Sequence, residues 1–126
     1  MLGRYRLAVL DNGVRVLGVE NADLHSFVMS THVHAGPRFE TDGQAGLTHL
    51  LEHMLFQGSE HYPNSKAIMR GIENLGGVID GGTYPEYLSA AVGVHRKHWR
   101  AAVDVACEVL MSPRFDPHEI RQERLS

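Results

Sequence analysis

Three residues whose types and spacing could do chemistry lie in the stretch "AGLTHLLEHMLFQGSEHYP", residues 45–63: His49, Glu52 and His53. The stretch predicts a helix over residues 44–57, closed by Gly58. At ~100° per residue, the three side chains share one narrow edge of that helix, and leucines with Met54 occupy the other side. Ionisable groups beside an apolar face are costly unless something pairs with them. The pattern therefore indicates either one solvated edge or a bound group.

Two histidines at positions i and i+4 of a helix are neighbours and can bind one metal ion together. Neutral imidazole is a favoured zinc ligand, often in company with a carboxylate. Glu52 can then act as a base towards a water whose pKa the ion has lowered towards ~7. Another interpretation stays open at this point: the three residues form a solvated edge or pair with lysine or arginine.

The elements around this helix predict an α+β fold, with a mixed or antiparallel sheet of about five strands packed against helices. Alternation and turn residues predict strands at 4–10, 14–20 and 25–36, with a hairpin turn at "DNG". Two more strands are expected within 78–94. Further helices are predicted at 63–77, 96–112 and 116–126, with Asn64 or Ser65 and Asp116 as N-caps. On the third helix, helical spacing predicts a buried face of Trp99, Val103, Ala106 and Leu110, with Cys107 packed beside it.

Composition limits the classes of function. The 126 residues suffice for a single domain spanning 1–126, and 43% hydrophobic with 21% charged residues is typical of a soluble globular protein. The net charge of −3 gives no argument for nucleic acid or an anionic membrane, and no run is long enough to span a bilayer. The single cysteine excludes an internal disulfide and suits a cytoplasmic location.

The order of residues His49, Glu52 and His53 spells H-x-x-E-H, the inverted form of a metallopeptidase motif. The surrounding segments resemble the M16 family, the pitrilysin-like or inverzincin zinc peptidases. "LDNGVRVL" is similar to the family's opening hairpin, "HAGPRFE" to the segment before the active-site helix, and "NLGGVIDGGTYPEYLSAAV" to the strand after it. "SPRFDPHEIRQERLS" is similar to the segment that leads towards the third zinc ligand. The resemblance covers nearly the whole chain and places it in the amino-terminal part of the catalytic domain.

The resemblance implies Zn²⁺ as cofactor, His49 and His53 as its ligands, and Glu52 as the general base. It implies that Glu123 supports the site without ligating the ion. The family's third ligand, a glutamate, would fall beyond Ser126. Four explanations are open: the chain is a fragment, a partner chain donates the carboxylate, Glu73 or Glu86 substitutes, or the chain is a degenerate member. The uncapped last helix favours the fragment.

Members of the family bind peptide as an added β-strand beside the zinc. The resemblance places that edge at "GGVIDGGT", residues 76–83, with Asp80, Gly81 and Gly82 as candidate substrate-binding residues. Asp80 and Gly81 stand where the family usually has asparagine and alanine. Extra negative charge there favours basic peptides, or it simply caps a turn.

The resemblance implies a zinc-dependent endopeptidase, or its catalytic fragment, acting on short or unfolded peptides. A second M16-like chain or the remainder of the chain is expected for full activity, because the family encloses substrate between two large halves. The alternative is a non-catalytic M16-like subunit that binds peptide or a partner chain.

Overall fold

A computed structural model describes residues 4–126, in which three strands, two helices, two strands and two helices follow one another. The chain order is β1 (Tyr5–Val9), β2 (Arg15–Val19), β3 (Ser26–Val33), α1 (Leu47–Leu55), α2 (Ser65–Glu73), β4 (Val78–Thr83), β5 (Leu88–His95), α3 (Trp99–Met111) and α4 (Pro117–Leu125). Short 3-10 turns lie at Pro37–Phe39, Asp42–Gln44 and Arg96–His98.

The five strands form two sheets. β1 and β2 pair as a hairpin around the predicted turn, where Gly13 has a φ of 88°. β3, β5 and β4 form a three-stranded sheet in that order, so β4 lies at an edge of the sheet among the described residues. Every strand pairing within residues 4–126 is antiparallel. The predicted α+β class with five strands is confirmed, although the strands are divided between a two-stranded and a three-stranded sheet.

The core lies between one face of the three-stranded sheet and helices α1, α2 and α3. Leu88, Ala90, Val92 and Val94 alternate along β5 and are all buried, which gives one face of the central strand to the core. The helical residues packed there are Leu55 from α1, Ile68 and Ile72 from α2, and Ala102, Val105, Ala106 and Val109 from α3.

The predicted buried face of α3 was wrong in part. Of the predicted residues only Ala106 is fully buried, while Trp99 is 43% exposed and Cys107 is exposed. The sheet packs against the alanine and valine face, whose short side chains let the helix come close. Trp99, at the first residue of α3, instead lies near Phe27 of β3, with ring centroids 6.3 Å apart.

Helix α1 is shorter than predicted because residues 42–44 form a separate 3-10 turn, and Gly46 then adopts a left-handed φ of 86°. The first backbone amides of α1 are held by Glu40, whose carboxylate accepts from Gly46 N at 2.8 Å and Thr48 N at 2.7 Å. These bonds, that from Thr48 foremost, lower the pKa of Glu40. Glu40, in the segment "HAGPRFE", thus fixes where the helix begins.

Candidate metal centre

The structure brings His49, Glu52 and His53 together on α1. One ligand atom of each lies within 4.8 Å of those of the other two, and this is the one group of three or more such residues found in residues 4–126. The two imidazole rings have centroids 4.4 Å apart and planes inclined by 69°. His49 is exposed, whereas Glu52 and His53 are partly buried. Two imidazoles and a carboxylate this close together fit a metal ion such as zinc.

The orientation of His53 is set from α4. Glu123 Oε2 lies 2.9 Å from His53 Nδ1, and Gln57 Nε2 donates to Glu123 Oε1 at 2.8 Å. A carboxylate accepts only, so Nδ1 donates in this contact, and in a neutral imidazole Nε2 then keeps its lone pair for a metal. This contact joins residues 70 positions apart. A carboxylate in this position fixes the tautomer and orientation of a histidine ring.

Glu52 is held from the sheet. Thr83, the last residue of β4, donates its hydroxyl to Glu52 Oε2 at 3.0 Å. Gly81 lies two residues earlier and therefore on the same face of the strand. A Cβ at that position would lie 2.9 Å from Glu52 Oε1 and would overlap the ring of Phe56.

The three candidate substrate-binding residues divide between the two faces of β4. Gly81 faces α1, while Asp80 and Gly82 fall on the opposite face. Asp80 is exposed, and its carboxylate accepts from the backbone N–H of Gly81 at 2.9 Å. A Cβ at Gly82 would lie 2.8 Å from the ring of Tyr84. Gly81 alone of the three adjoins Glu52.

Neither of the two suggested substitutes for a third ligand joins the group. Glu86 forms an ion pair with Arg38, and Glu73 is exposed at the end of α2. Glu123 is also outside the group, and its carboxylate contacts His53 and Gln57. Within residues 4–126, Glu52 is the carboxylate that belongs to the group with the two histidines.

An open cavity of about 790 Å³ lies beside the two histidines, between the beginning of α1 and the end of α4. Leu47 and Leu50 of α1 contribute apolar lining, and Leu47 is 51% exposed although the helical wheel placed it on the apolar side. The reason is that α1 buries Thr48, Met54 and Leu55, whereas Leu47 and Leu50 line this cavity.

Sequence reasoning missed two residues that contact the candidate site, Thr83 and Gln57. A signal for Thr83 was present, since residues 81 and 83 must share one face of a strand. Gln57 follows the end of α1, and no local pattern indicates its contact with Glu123.

Comparison with known proteins decides the family. The family model described as "Insulinase (Peptidase family M16)" matches residues 15–126 of the chain. The chain belongs to peptidase family M16. The predicted resemblance is thereby confirmed.

The M16 relatives include peptidases and proteins named as zinc proteases. The chain is 32% identical over 119 residues to the mitochondrial-processing peptidase subunit beta of Dictyostelium discoideum, covering 94% of this chain and 25% of that protein. It is 29% identical to the uncharacterized zinc protease YmxG of Bacillus subtilis, covering 98% of this chain and 29% of that one. The chain therefore spans about a quarter of the length of these curated relatives.

The fold agrees with a solved protease. The crystal structure of a protease from Helicobacter pylori superposes with a TM-score of 0.92 at 20% identity, over 99% of this chain and 30% of that one. Among the described residues, no helix has the length and apolar character needed to cross a membrane.

Proposed function

We propose that this chain carries the zinc-binding and proton-transfer residues of an M16 endopeptidase that hydrolyses short or unfolded peptides. The observation that carries the proposal is the convergence of His49, Glu52 and His53 within 4.8 Å, with the two histidines on successive turns of one helix. The relatives named as zinc proteases make zinc the metal of choice for this group.

His49 and His53 would hold the zinc ion through neutral ring nitrogens, and Glu123 supports this by fixing the protonated nitrogen of His53. When bound, zinc supplies a Lewis acid that polarises the scissile carbonyl and lowers the pKa of water. Glu52 accepts the proton of the attacking water and delivers it to the leaving amine as the peptide bond breaks. A catalytic zinc usually has three protein ligands, so we propose that a further carboxylate comes from outside these 126 residues.

The substrate would bind along β4, the edge strand beside Glu52. An extended peptide can add to a free edge through backbone hydrogen bonds, which read few side chains. Gly81 would lie next to the reacting bond. Asp80 and Gly82 would contact the peptide from the other face of the strand, where the Asp80 carboxylate favours a basic side chain.

We also propose that the active protein includes further peptidase sequence beyond these residues or a second chain. The family match and the quarter-length coverage support residues 1–126 as the amino-terminal portion of a peptidase domain. Several relatives are named as subunits, which supports a second M16-like chain as a partner.

A second candidate function is a non-catalytic M16-like subunit that binds peptide or a partner. It is favoured by one observation: within residues 4–126, the group that could hold a metal ion contains no carboxylate besides that of Glu52. The retained Glu52, with its hydrogen bond from Thr83, favours the peptidase instead.

The variant Glu52→Gln tests the proposal. Glutamine keeps the shape and the hydrogen-bond acceptor for Thr83 but cannot take a proton. We expect the variant to bind as much zinc as the parent and to hydrolyse an unfolded peptide about 10²- to 10⁴-fold more slowly, the usual contribution of a general base. Hydrolysis would be followed by mass spectrometry and zinc by elemental analysis.

Cleavage by Glu52→Gln at the parent rate would contradict the proposed role of Glu52. Peptide binding that survives a chelator, with no cleavage by the parent, would favour the non-catalytic subunit. Glu60→Gln serves as the matched control, because Glu60 is exposed and lies beyond the end of α1.

A further inference from the structure

The carboxylate of Glu52 connects helix α1 with strand β4. It is carried by α1, but its Oε2 atom accepts a hydrogen bond from Thr83 Oγ1 of β4 at 3.0 Å. Within residues 4–126 no hydrogen bond is made to the other oxygen, Oε1. The carboxylate is therefore held at one oxygen, and the second oxygen keeps its lone pairs for a reacting group.

Gly81 provides the room that this orientation requires. A Cβ at Gly81 would stand 2.9 Å from Glu52 Oε1, closer than real Cβ contacts allow, and would overlap the ring of Phe56. Thus two residues on one face of β4 act on one carboxylate: the hydroxyl of Thr83 holds Oε2, and the missing side chain of Gly81 gives space to Oε1.

Thr83 itself is fixed by its surroundings. It pairs with Leu88 of β5, which is 1% exposed, and the turn that follows is closed by the N–H of Tyr84 donating to Tyr87 O at 2.8 Å. The same turn is tied to the chain before α1, because Arg38 N donates to Pro85 O at 3.0 Å. A β-branched side chain in a strand also has restricted χ1 freedom. The Thr83 side chain therefore loses little conformational entropy when its hydroxyl binds Glu52.

We propose that Thr83 is a positioning residue that orients the Glu52 carboxylate for proton transfer, with Gly81 as the space that permits this orientation. This inference rests on the proposed function, in which Glu52 is the general base. The edge strand proposed to bind the peptide backbone then also orients the base, so peptide and carboxylate are aligned by the same element.

The test is the pair Thr83→Val and Thr83→Ser. Valine keeps the shape and branching but removes the hydroxyl, while serine keeps the hydroxyl. For Thr83→Val we expect kcat for an unfolded peptide to fall about 10- to 100-fold, as for loss of a hydrogen bond to a charged group. KM and zinc content should stay at the parent values, and Thr83→Ser should restore most of kcat.

Thr31→Val is the matched control. Thr31 is a strand threonine on β3 with partly exposed surface, and its hydroxyl makes no hydrogen bond among the described residues. Its kcat should equal that of the parent. Equal kcat for Thr83→Val and the parent, or a serine variant as slow as the valine variant, would overturn the inference.

A second measurement does not depend on turnover. The shift in melting temperature caused by Thr83→Val is measured in the parent and in a Glu52→Ala background. If Thr83 donates to Glu52, Thr83→Val should lower the melting temperature more in the parent than in the Glu52→Ala protein, because only the parent has the acceptor. Equal shifts would overturn the inference whatever the hydrolysis assay shows.

The two proposals fail in different ways. If neither the parent nor Thr83→Ser hydrolyses peptide with zinc and the further carboxylate supplied, the proposed function fails for this chain. Unequal shifts would in that case still support the contact through which Thr83 orients Glu52.

Discussion

At the scale of single residues, the prediction for Glu123 is that it determines which nitrogen of His53 is available to a metal. Its carboxylate lies 2.9 Å from Nδ1 and is itself steadied by Gln57. Without that acceptor, His53 is free to exchange tautomers and to rotate its ring. Carboxylates that support a ligating histidine typically change metal affinity about 10- to 100-fold.

We therefore predict that Glu123→Ala weakens zinc binding about 10- to 100-fold, as measured by competition with a chelator of known affinity. The control is Glu119→Ala on the same helix, because the Glu119 side chain makes no hydrogen bond within residues 4–126. Equal zinc affinities for Glu123→Ala, Glu119→Ala and the parent would show that Glu123 does not support the site.

The sequence allowed the prediction of His49, Glu52 and His53 as one cluster, because helical spacing is local and regular. The supporting role predicted for Glu123 remains a prediction that the 2.9 Å contact makes testable. Thr83 was missed because its bond to Glu52 joins residues 31 positions apart, and such contacts depend on how a strand packs on a helix.

At the scale of elements, the loop after α1 is attached to α3 through Glu108. One carboxylate oxygen accepts from Ser59 Oγ at 3.0 Å and from the backbone N–H of His61 at 2.9 Å, and it lies 3.1 Å from His61 Nδ1. Ser59 is fully buried. The loop therefore leaves α1 in a fixed direction, which orients the helix that carries the histidines.

This contact predicts a pH dependence of stability. The backbone N–H of His61 foremost, and then the side chains of Ser59 and His61, hold the pKa of Glu108 below its ordinary value of 4.5, against the opposing effect of burial. A carboxyl whose pKa is lower in the folded state stabilises the protein above 4.5, and that stabilisation is lost as the pH falls through the folded value.

We expect Glu108→Gln to unfold at lower urea concentration than the parent at pH 7, with a difference that shrinks as the pH falls below about 4.5. Urea denaturation of both proteins across this range measures it, with the exposed Glu60→Gln as control. A difference between Glu108→Gln and the parent that is constant across the range would mean that ionised Glu108 does not stabilise the fold.

Most elements were predictable because their signals are local. Asn64 accepts from Ala67 N at 2.9 Å and Asp116 from His118 N at 2.8 Å, so both predicted N-caps are confirmed. The buried face of α3 was not predictable, since both the Trp99 stripe and the alanine–valine face have helical spacing. Packing against β5 selected the face with small side chains.

At the scale of the whole molecule, the β1–β2 hairpin stands apart from the three-stranded sheet. Its residues are all exposed, and one face carries large apolar side chains: Tyr5, Leu7, Val9, Leu17 and Val19. Local pattern predicts two strands and a turn but not which sheet they join, because sheet assembly depends on distant parts of the fold. The chain spans about a quarter of the length of these relatives. Within the described residues, the candidate metal site consists of His49, Glu52 and His53.

The most direct test of the central claim is the zinc affinity of the 126-residue protein and of His49→Ala and His53→Ala, measured by competition with a chelator of known affinity. The account predicts that both variants bind zinc more weakly than the parent, because each variant removes one of the two imidazoles on α1. Equal zinc affinities in all three proteins would contradict the assignment of a zinc site to this helix.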